Sequence, residues 1–126
     1  MSDRINTPYG AFEIGPMPSQ PQVALCHGFF VHHAKRGQGF GHQLKAHQNR
    51  ILRERLYDFS ICTVDGANER QKAVLTRAGW HWMASFRNSK TGGHTEMWGW
   101  HVQPTAAEAN TSAQADLALE LEGVTA

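Results

Sequence analysis

The sequence predicts an α/β (α+β) fold, a mixed sheet built on a central parallel β-α-β unit with a second helix and a C-terminal antiparallel hairpin. Three observations predict it. A nearly continuous apolar run from Gln22 to Val31 has strand length and suits a strand covered on both faces. A segment with helical apolar spacing and a second short apolar run, Phe59 to Val64, follow it, and strand, helix and strand in that order are most simply joined by a right-handed crossover with the strands parallel. Two aromatic segments, Trp80 to Phe86 and Thr95 to Val102, flank "RNSKTGGH" and read as a hairpin.

Taken in order, residues 1–22 are rich in turn formers (Pro8, Gly10, Gly15, Pro16, Pro18, Pro21), and only Tyr9 to Ile14 has strand character. From Gly39 onward Phe40, Leu44, Ile51, Leu52 and Leu56 keep helical spacing, with His47 or Gln48 filling the intermediate turn. This gives a helix of about four to five turns at 3.6 residues per turn. A second helix is expected from Glu69 to Ala78, because Asn68 can cap it with Gln71 three residues later and Gly79 ends the pattern. Trp80, Trp82, Trp98 and Trp100 alternate at period two, so each pair faces one way. Packing in the core or at an interface is the expected role, with a base-stacking platform for nucleic acid as the sharper alternative. No internal repeat is present. The chain thus divides into a domain over residues 1–104 and an acidic tail over 105–126, expected to be flexible except for a short helix around Ala115 to Glu122.

At 126 residues the chain is one domain's worth, able to bury a core without disulfide or metal support. Cys26 and Cys62 are far apart, without a CxxC companion and within apolar runs, which fits reduced thiols in strands. No apolar run is long enough to span a bilayer, and "MSDRINTPYG" lacks the basic-then-apolar pattern of a secretion signal, so the expected location is the cytoplasm. All twelve Lys and Arg precede Pro104, against seven Asp and Glu there, so residues 1–104 carry a net +5. Lys35, Arg36, Lys45, Arg50, Arg53 and Arg55 crowd around one helix, as suits an anionic ligand. Eight histidines raise the question of a metal. However, His32 and His33 point to opposite sides of an extended chain, His42 and His47 diverge on a helix, and no Cys or carboxylate spacing completes a site, so no metal is expected.

The stretch "RGQGFG" between the first strand and its helix carries the most chemistry. A Walker loop is excluded, because no G-x-x-x-x-G-K-[ST] occurs. A dinucleotide fingerprint needs G-x-G-x-x-G, and here His42 stands where the third glycine should be, although Asp58 lies about twenty residues on. The third pattern matches. Arg36-Gly37-Gln38-Gly39-Phe40-Gly41 fits R/Q-x-x-G-x-G/A, and with the preceding "VHHAKR" it resembles the strand exit and pyrophosphate loop of the GNAT superfamily of acyl-CoA N-acyltransferases. Glycines let the backbone approach a pyrophosphate, and the free N–H groups and dipole of a helix N-terminus favour negative charge there. Downstream, Asn68 followed by "AVLTRAGW" is similar to that family's Asn-then-"LYxxxGF" segment, so the resemblance covers about residues 22–102.

The resemblance implies acetyl-CoA (coenzyme A) as cofactor and an acyl transfer to an amine that the sequence leaves unnamed. It implies a donor site made by Phe30, Val31, Arg36, Gly37, Gln38, Gly39, Phe40, Gly41, His42 and Asn68, with backbone donors for the thioester carbonyl at Phe30 and Val31. For the base that takes the amine proton it points to His27, then Glu13, then His32. The tyrosine that serves relatives as acid is replaced by Leu75, leaving Tyr57 and Tyr9 as candidates. Only about 21 residues precede the first long strand, fewer than the family's usual front, so a homodimer or a protein complex is expected to complete the acceptor wall. The competing class is a GNAT-fold protein without catalysis, an interaction or structural part. Compact relatives from tailed phages look similar, which would place the protein in a host cytoplasm or a virion. The scarcity of carboxylates before the tail favours a macromolecular or anionic acceptor, nucleic acid included.

Overall fold

The computed structural model describes residues 2–102. The expected tail and its helix at Ala115 to Glu122 lie outside the described residues. In chain order the elements are β1 (Asp3–Asn6), β2 (Gly10–Met17), β3 (Gln20–Val31), a 3-10 turn (His33–Lys35), α1 (Phe40–Glu54), β4 (Phe59–Asp65), α2 (Glu69–Arg77), β5 (His81–Arg87) and β6 (His94–His101). The strands form one sheet in the order β1-β2-β3-β4-β6-β5. The β3–β4 pair is parallel and every other pair antiparallel, so the β-α-β unit and the C-terminal hairpin stand as expected.

The front of the chain departs from expectation. β1 is a strand of four residues, too short and polar to announce itself, and β2 runs on through Pro16 to Met17. The register of β1 ends at Asp3 opposite Ile14, so Pro16 faces β1's side where no ladder bond is needed from it. Thr7 makes the β1–β2 connection, its Oγ1 accepting from the N–H groups of Tyr9 and Gly10 at 3.1 Å each.

α1 ends sooner than its apolar spacing suggests, and Leu56 leaves the buried face. Its φ is +62° and it is 73% exposed. The Leu56 N–H donates to the Arg53 carbonyl and the Tyr57 N–H to the Leu52 carbonyl, a Schellman closure that puts Leu56 in the left-handed position after the helix. α2 matches expectation at both ends: Asn68 Oδ1 accepts from the Gln71 N–H at 3.1 Å, and Gly79 follows with φ +90°.

α1 and α2 pack side by side on one face of the sheet, above a core of Phe12, Ile14, Leu44, Leu52, Leu75, Trp80, Trp98 and Trp100. Trp80 stacks on Trp100 with ring centroids 6.1 Å apart. Trp82 does not share this fate. It is exposed on β5, the edge strand, and its Nε1 donates to Ser85 Oγ. The buried side of α1 is half polar, consisting of Leu44, Lys45, Gln48, Asn49 and Leu52. Lys45 therefore lies in the interior, apart from the other basic residues of the cluster expected around this helix.

Candidate functional site

β3 changes course at Gly28. Ala11 pairs with Phe30 and Glu13 with His27, so β3 holds one residue more than β2 over this interval, and Gly28 and Phe29 stand outside the register. Gly28 has φ +64°, a backbone angle that favours glycine, and a Cβ there would lie 2.8 Å from Glu13 Oε2, which would have to swing aside. Beyond this point β3 and β4 part: their parallel register runs from Val23 opposite Phe59 to Leu25 opposite Ile61 and stops. The bulge was legible as a lone glycine inside the apolar run "ALCHGFFV", a signal that periodicity alone passes over.

The glycine stretch leads from the splayed end of β3 into α1. Gly37 and Gly39 have φ of +76° and +82°, and a Cβ on either meets nothing within 4 Å. Glycine is required here by backbone conformation, and the surface of the turn stays open to a ligand. Gly39 is the residue before α1, and no side chain caps this end, so its first N–H groups are available to an anion. Arg36 is held at the same corner, its Nε donating to the Val31 carbonyl at 3.1 Å and leaving the outer guanidinium nitrogens free of that bond. Tyr9 stacks on Phe40 at 4.3 Å and supports the turn from below.

A cleft of about 450 Å³ opens between this turn and the start of α2. Of the residues that the resemblance assigned to the donor site, Phe30, Val31, Arg36, Gly37, Gly39, Phe40, Gly41, His42 and Asn68 border it. Gln38 does not, because its Nε2 donates back to the Ala34 carbonyl. Arg70, Gln71 and Val74 of α2 add a wall that the sequence reading omitted. Phe29, Asn68 and Gln71 also border a second cavity of about 280 Å³, which lies deeper, between the parted strands and under α1. Cys26, Lys45, Gln48, Cys62 and Leu75 line it. Burial raises the Cys26 thiol to about 12 and pushes the Cys62 thiol up as well. Burial also lowers Lys45, with the two thiols acting in the opposite sense.

Of the residues expected to move protons, His27 and Glu13 are brought together as a cross-strand pair, Nδ1 to Oε2 at 3.5 Å, and Ser2 Oγ hydrogen-bonds His27 Nε2 at 3.0 Å. Their neighbours Ile14 and Cys26 are buried under the helices, so by strand alternation His27 and Glu13 face the opposite side of the sheet. His32 lies past the end of β3, packed edge-on to Phe30. Tyr57 is not brought to the site. It follows α1, whose 15 residues carry the chain about 22 Å from the glycine turn, at 1.5 Å per residue. Leu75, at the position where the resemblance called for a tyrosine, is fully buried in the wall of the deeper cavity.

No protein-family model and no curated protein sequence matches the chain. Solved structures do. A Bacillus subtilis acetyltransferase in complex with CoA superposes with a TM-score of 0.68 at 12% identity, over 75% of this chain and 70% of that one. An acetyltransferase of the GNAT family from Streptococcus pneumoniae gives 0.66 at 12% identity, over 75% and 60%. The chain has the GNAT fold. RimL, the ribosomal L7/L12 alpha-N-protein acetyltransferase in complex with coenzyme A, shares it with a TM-score of 0.62 at 17% identity, over 75% of this chain and 55% of its own. The match thus spans between about half and two thirds of most of these longer chains. Within the GNAT fold as this chain builds it, the glycine turn, the strand splay and the His27–Glu13 pair lie in sequence along β3 and its exit.

Proposed function

We propose that the chain is an acyl-CoA-dependent N-acyltransferase, with acetyl-CoA among its donors and an amine as acceptor. One observation carries the reading: an open turn made by two left-handed glycines, with Arg36 beside it, borders a cleft that shares Phe29, Asn68 and Gln71 with the cavity at the gap between β3 and β4. The residues present fit coenzyme A, because a turn that no Cβ narrows, an uncapped helix start and a fixed guanidinium are what a pyrophosphate needs. The co-crystallised CoA of the B. subtilis and RimL structures supports the same assignment. When bound, the coenzyme supplies the acyl group as a thioester.

The chain's own residues do the rest. Gly37, Gly39 and the first N–H groups of α1 hold the phosphates with Arg36; Phe30, Val31 and Asn68 form the walls of the approach. Backbone N–H groups at the bulge, Gly28 and Phe29, join Phe30 and Val31 as donors for the thioester carbonyl. His27 takes the amine proton, with Glu13 orienting its ring from the Nδ1 side. The amine arrives from the sheet face opposite the helices, so donor and acceptor meet through the gap between the strands. Tyr9 borders the glycine turn, and Tyr57 has no part in proton transfer by its distance. The thiolate then leaves without a tyrosine acid, which a thiol's low basicity permits.

Titration calorimetry with CoA and acetyl-CoA, run beside a thiol-release assay over pooled small amines, peptides and nucleic acid, tests this reading. Wild type is expected to bind at micromolar Kd and Gly39→Glu to lose binding, by charge repulsion and a strained backbone. Arg36→Ala should weaken binding about ten- to a hundredfold, since a charge-assisted contact is worth roughly 1.5–3 kcal/mol. His27→Ala should lower turnover by about a hundredfold or more while leaving CoA binding in place. Release of thiol at equal rates by wild type, His27→Ala and Arg36→Ala would refute the site. Binding without thiol release for any acceptor would favour a non-catalytic protein.

A further inference from the structure

The deeper cavity is furnished for more than an acetyl group. Its floor is the buried face of α1, where Lys45 is 1% exposed and Gln48 fully buried, three residues apart and hence on the same side of the helix. The Lys45 ammonium lies over the Trp80 ring at 3.8 Å and the Phe29 ring at 5.2 Å. Aromatic faces attract a cation but satisfy none of its N–H groups as an oxygen would. Among the described residues no carboxylate or carbonyl pairs with it. Gln48 is more exceptional: neither its amide nitrogen nor its amide oxygen has a hydrogen-bond partner among the described residues. A buried amide and a buried cation both lose hydration, and such groups persist where something completes them.

The other groups on this wall say what that something is. Cys26 and Cys62 stay neutral thiols, since burial opposes their ionisation. The Asp65 carboxylate stands at the exposed rim, where its Oδ1 accepts from the Ala67 N–H. The interior therefore offers several N–H donors, one amide acceptor and a cation with no anion to meet it. A hydrocarbon chain would leave Lys45 and Gln48 as they are. A carboxylate would accept from both. The volume of about 280 Å³ equals that of about nine water molecules at ~30 Å³ each, room for an acyl chain of several carbons.

We propose that this cavity selects acyl-CoA donors whose acyl chain ends in a carboxylate, the carboxylate being held by Lys45 Nζ and the Gln48 side-chain amide. The inference rests on the coenzyme A reading above and deepens it. It adds a donor class and does not remove acetyl-CoA, which is short enough to occupy the cavity mouth.

Two stable thioether probes of equal chain length, S-(3-carboxypropyl)-CoA and S-butyl-CoA, test it by calorimetry, with CoA alone as a third titrant. Wild type should bind the carboxylated probe at least tenfold more tightly than the butyl probe. In Lys45→Met the ratio should fall to about one or invert, and in Gln48→Leu it should fall severalfold. Because the ratio is taken within each protein, any general loss of binding cancels. Circular dichroism melts check that each variant is folded; should Lys45→Met not fold, the wild-type ratio and Gln48→Leu decide. Binding of CoA with no preference for the carboxylated probe overturns this inference alone, as does a preference that survives Lys45→Met. Failure of CoA itself to bind overturns the coenzyme A reading and this one with it.

Discussion

Asn49 makes two buried contacts at once: its Nδ2 donates to the Ala78 carbonyl at 3.0 Å, and its Oδ1 accepts from Trp80 Nε1 at 2.9 Å. One side chain thereby fixes α1 to the end of α2 and to the tryptophan that stacks on β6. Asn49→Leu keeps the side chain's branching and heavy-atom count and orphans a donor and an acceptor, each costing about 1–3 kcal/mol when left buried. A loss of about 2–4 kcal/mol in urea unfolding is expected, and a loss under 1 kcal/mol would show that the pair does not hold the helices. Cys26 gives a prediction with a pH sign. Its thiol is raised from 9.0 to about 12 in the fold by burial, so between those values the unfolded chain sheds a proton that the native one keeps. Stability is then full below pH 9 and declines as pH rises toward 12, at about 1.4 kcal/mol per unit at most. Lys45 acts oppositely over the alkaline range, since its lowered affinity for the proton makes the unfolded chain the better binder. Cys26→Ala should therefore show a shallower alkaline decline than wild type in unfolding free energies measured from pH 9 to 11; parallel profiles would contradict it. Lys45 and Asn49 were hidden from the sequence for a physical reason; Gln48, which fills the intermediate turn of the apolar spacing, was not. A face assigned by apolar spacing puts polar side chains outside, and only tertiary partners make this burial tolerable: the Trp80 and Phe29 rings for Lys45, and the Trp80 indole N–H and the Ala78 carbonyl for Asn49.

At the scale of elements, what could be read and what could not divide by the origin of the signal. The β-α-β unit, α2 and the hairpin were legible because each has its own period and its own punctuation within a dozen residues, from "QVALCHGFFV" to Asn68 and Gly79. β1 was not, since four residues with one half-buried side chain, Ile5, become a strand only by pairing with β2. The glycine turn was legible through its glycines; the His27–Glu13 pair depended on a cross-strand register that the bulge at Gly28 shifts. The end of α1 shows the same limit. Leu56 continues the apolar spacing, yet the Schellman bonds place it at φ +62°, where its side chain is 73% exposed. The left-handed conformation costs an ordinary residue about 1–2 kcal/mol, and little burial is lost by removing this side chain. Leu56→Gly should then stabilise the protein by roughly 1 kcal/mol, since glycine pays less there. A lowered melting temperature would mean that Leu56 earns more from contact than its exposure suggests.

For the whole molecule, the sheet is two well-paired halves joined by a short seam. β2 and β3 pair over most of their length, as do β4 and β6 from Phe59 to Asp65, while β3 and β4 share only the register from Val23–Phe59 to Leu25–Ile61. A continuous ladder here would be more stable, but it would close the gap through which, in the proposed function, a donor on the helix side reaches an acceptor on the other. The cost falls on backbone groups of β3 and β4 that face across the gap, beyond Leu25 and Ile61, without a partner strand. Amide exchange reads this directly. Amides in the β2–β3 and β4–β6 ladders open only with the protein as a whole, whereas those lining the gap have no ladder bond to break. Without ligand, gap-facing amides among Cys26–Phe30 and Cys62–Asp65 should exchange at least a hundredfold faster than ladder amides of the same strands. With saturating CoA they should slow by about the stabilisation that binding confers, while the ladder amides of β6, already protected to the global limit, rise only as overall stability rises. Uniform protection along β3 and β4 without ligand would mean that the gap closes in solution, and the route from donor to acceptor would have to be sought elsewhere on the sheet.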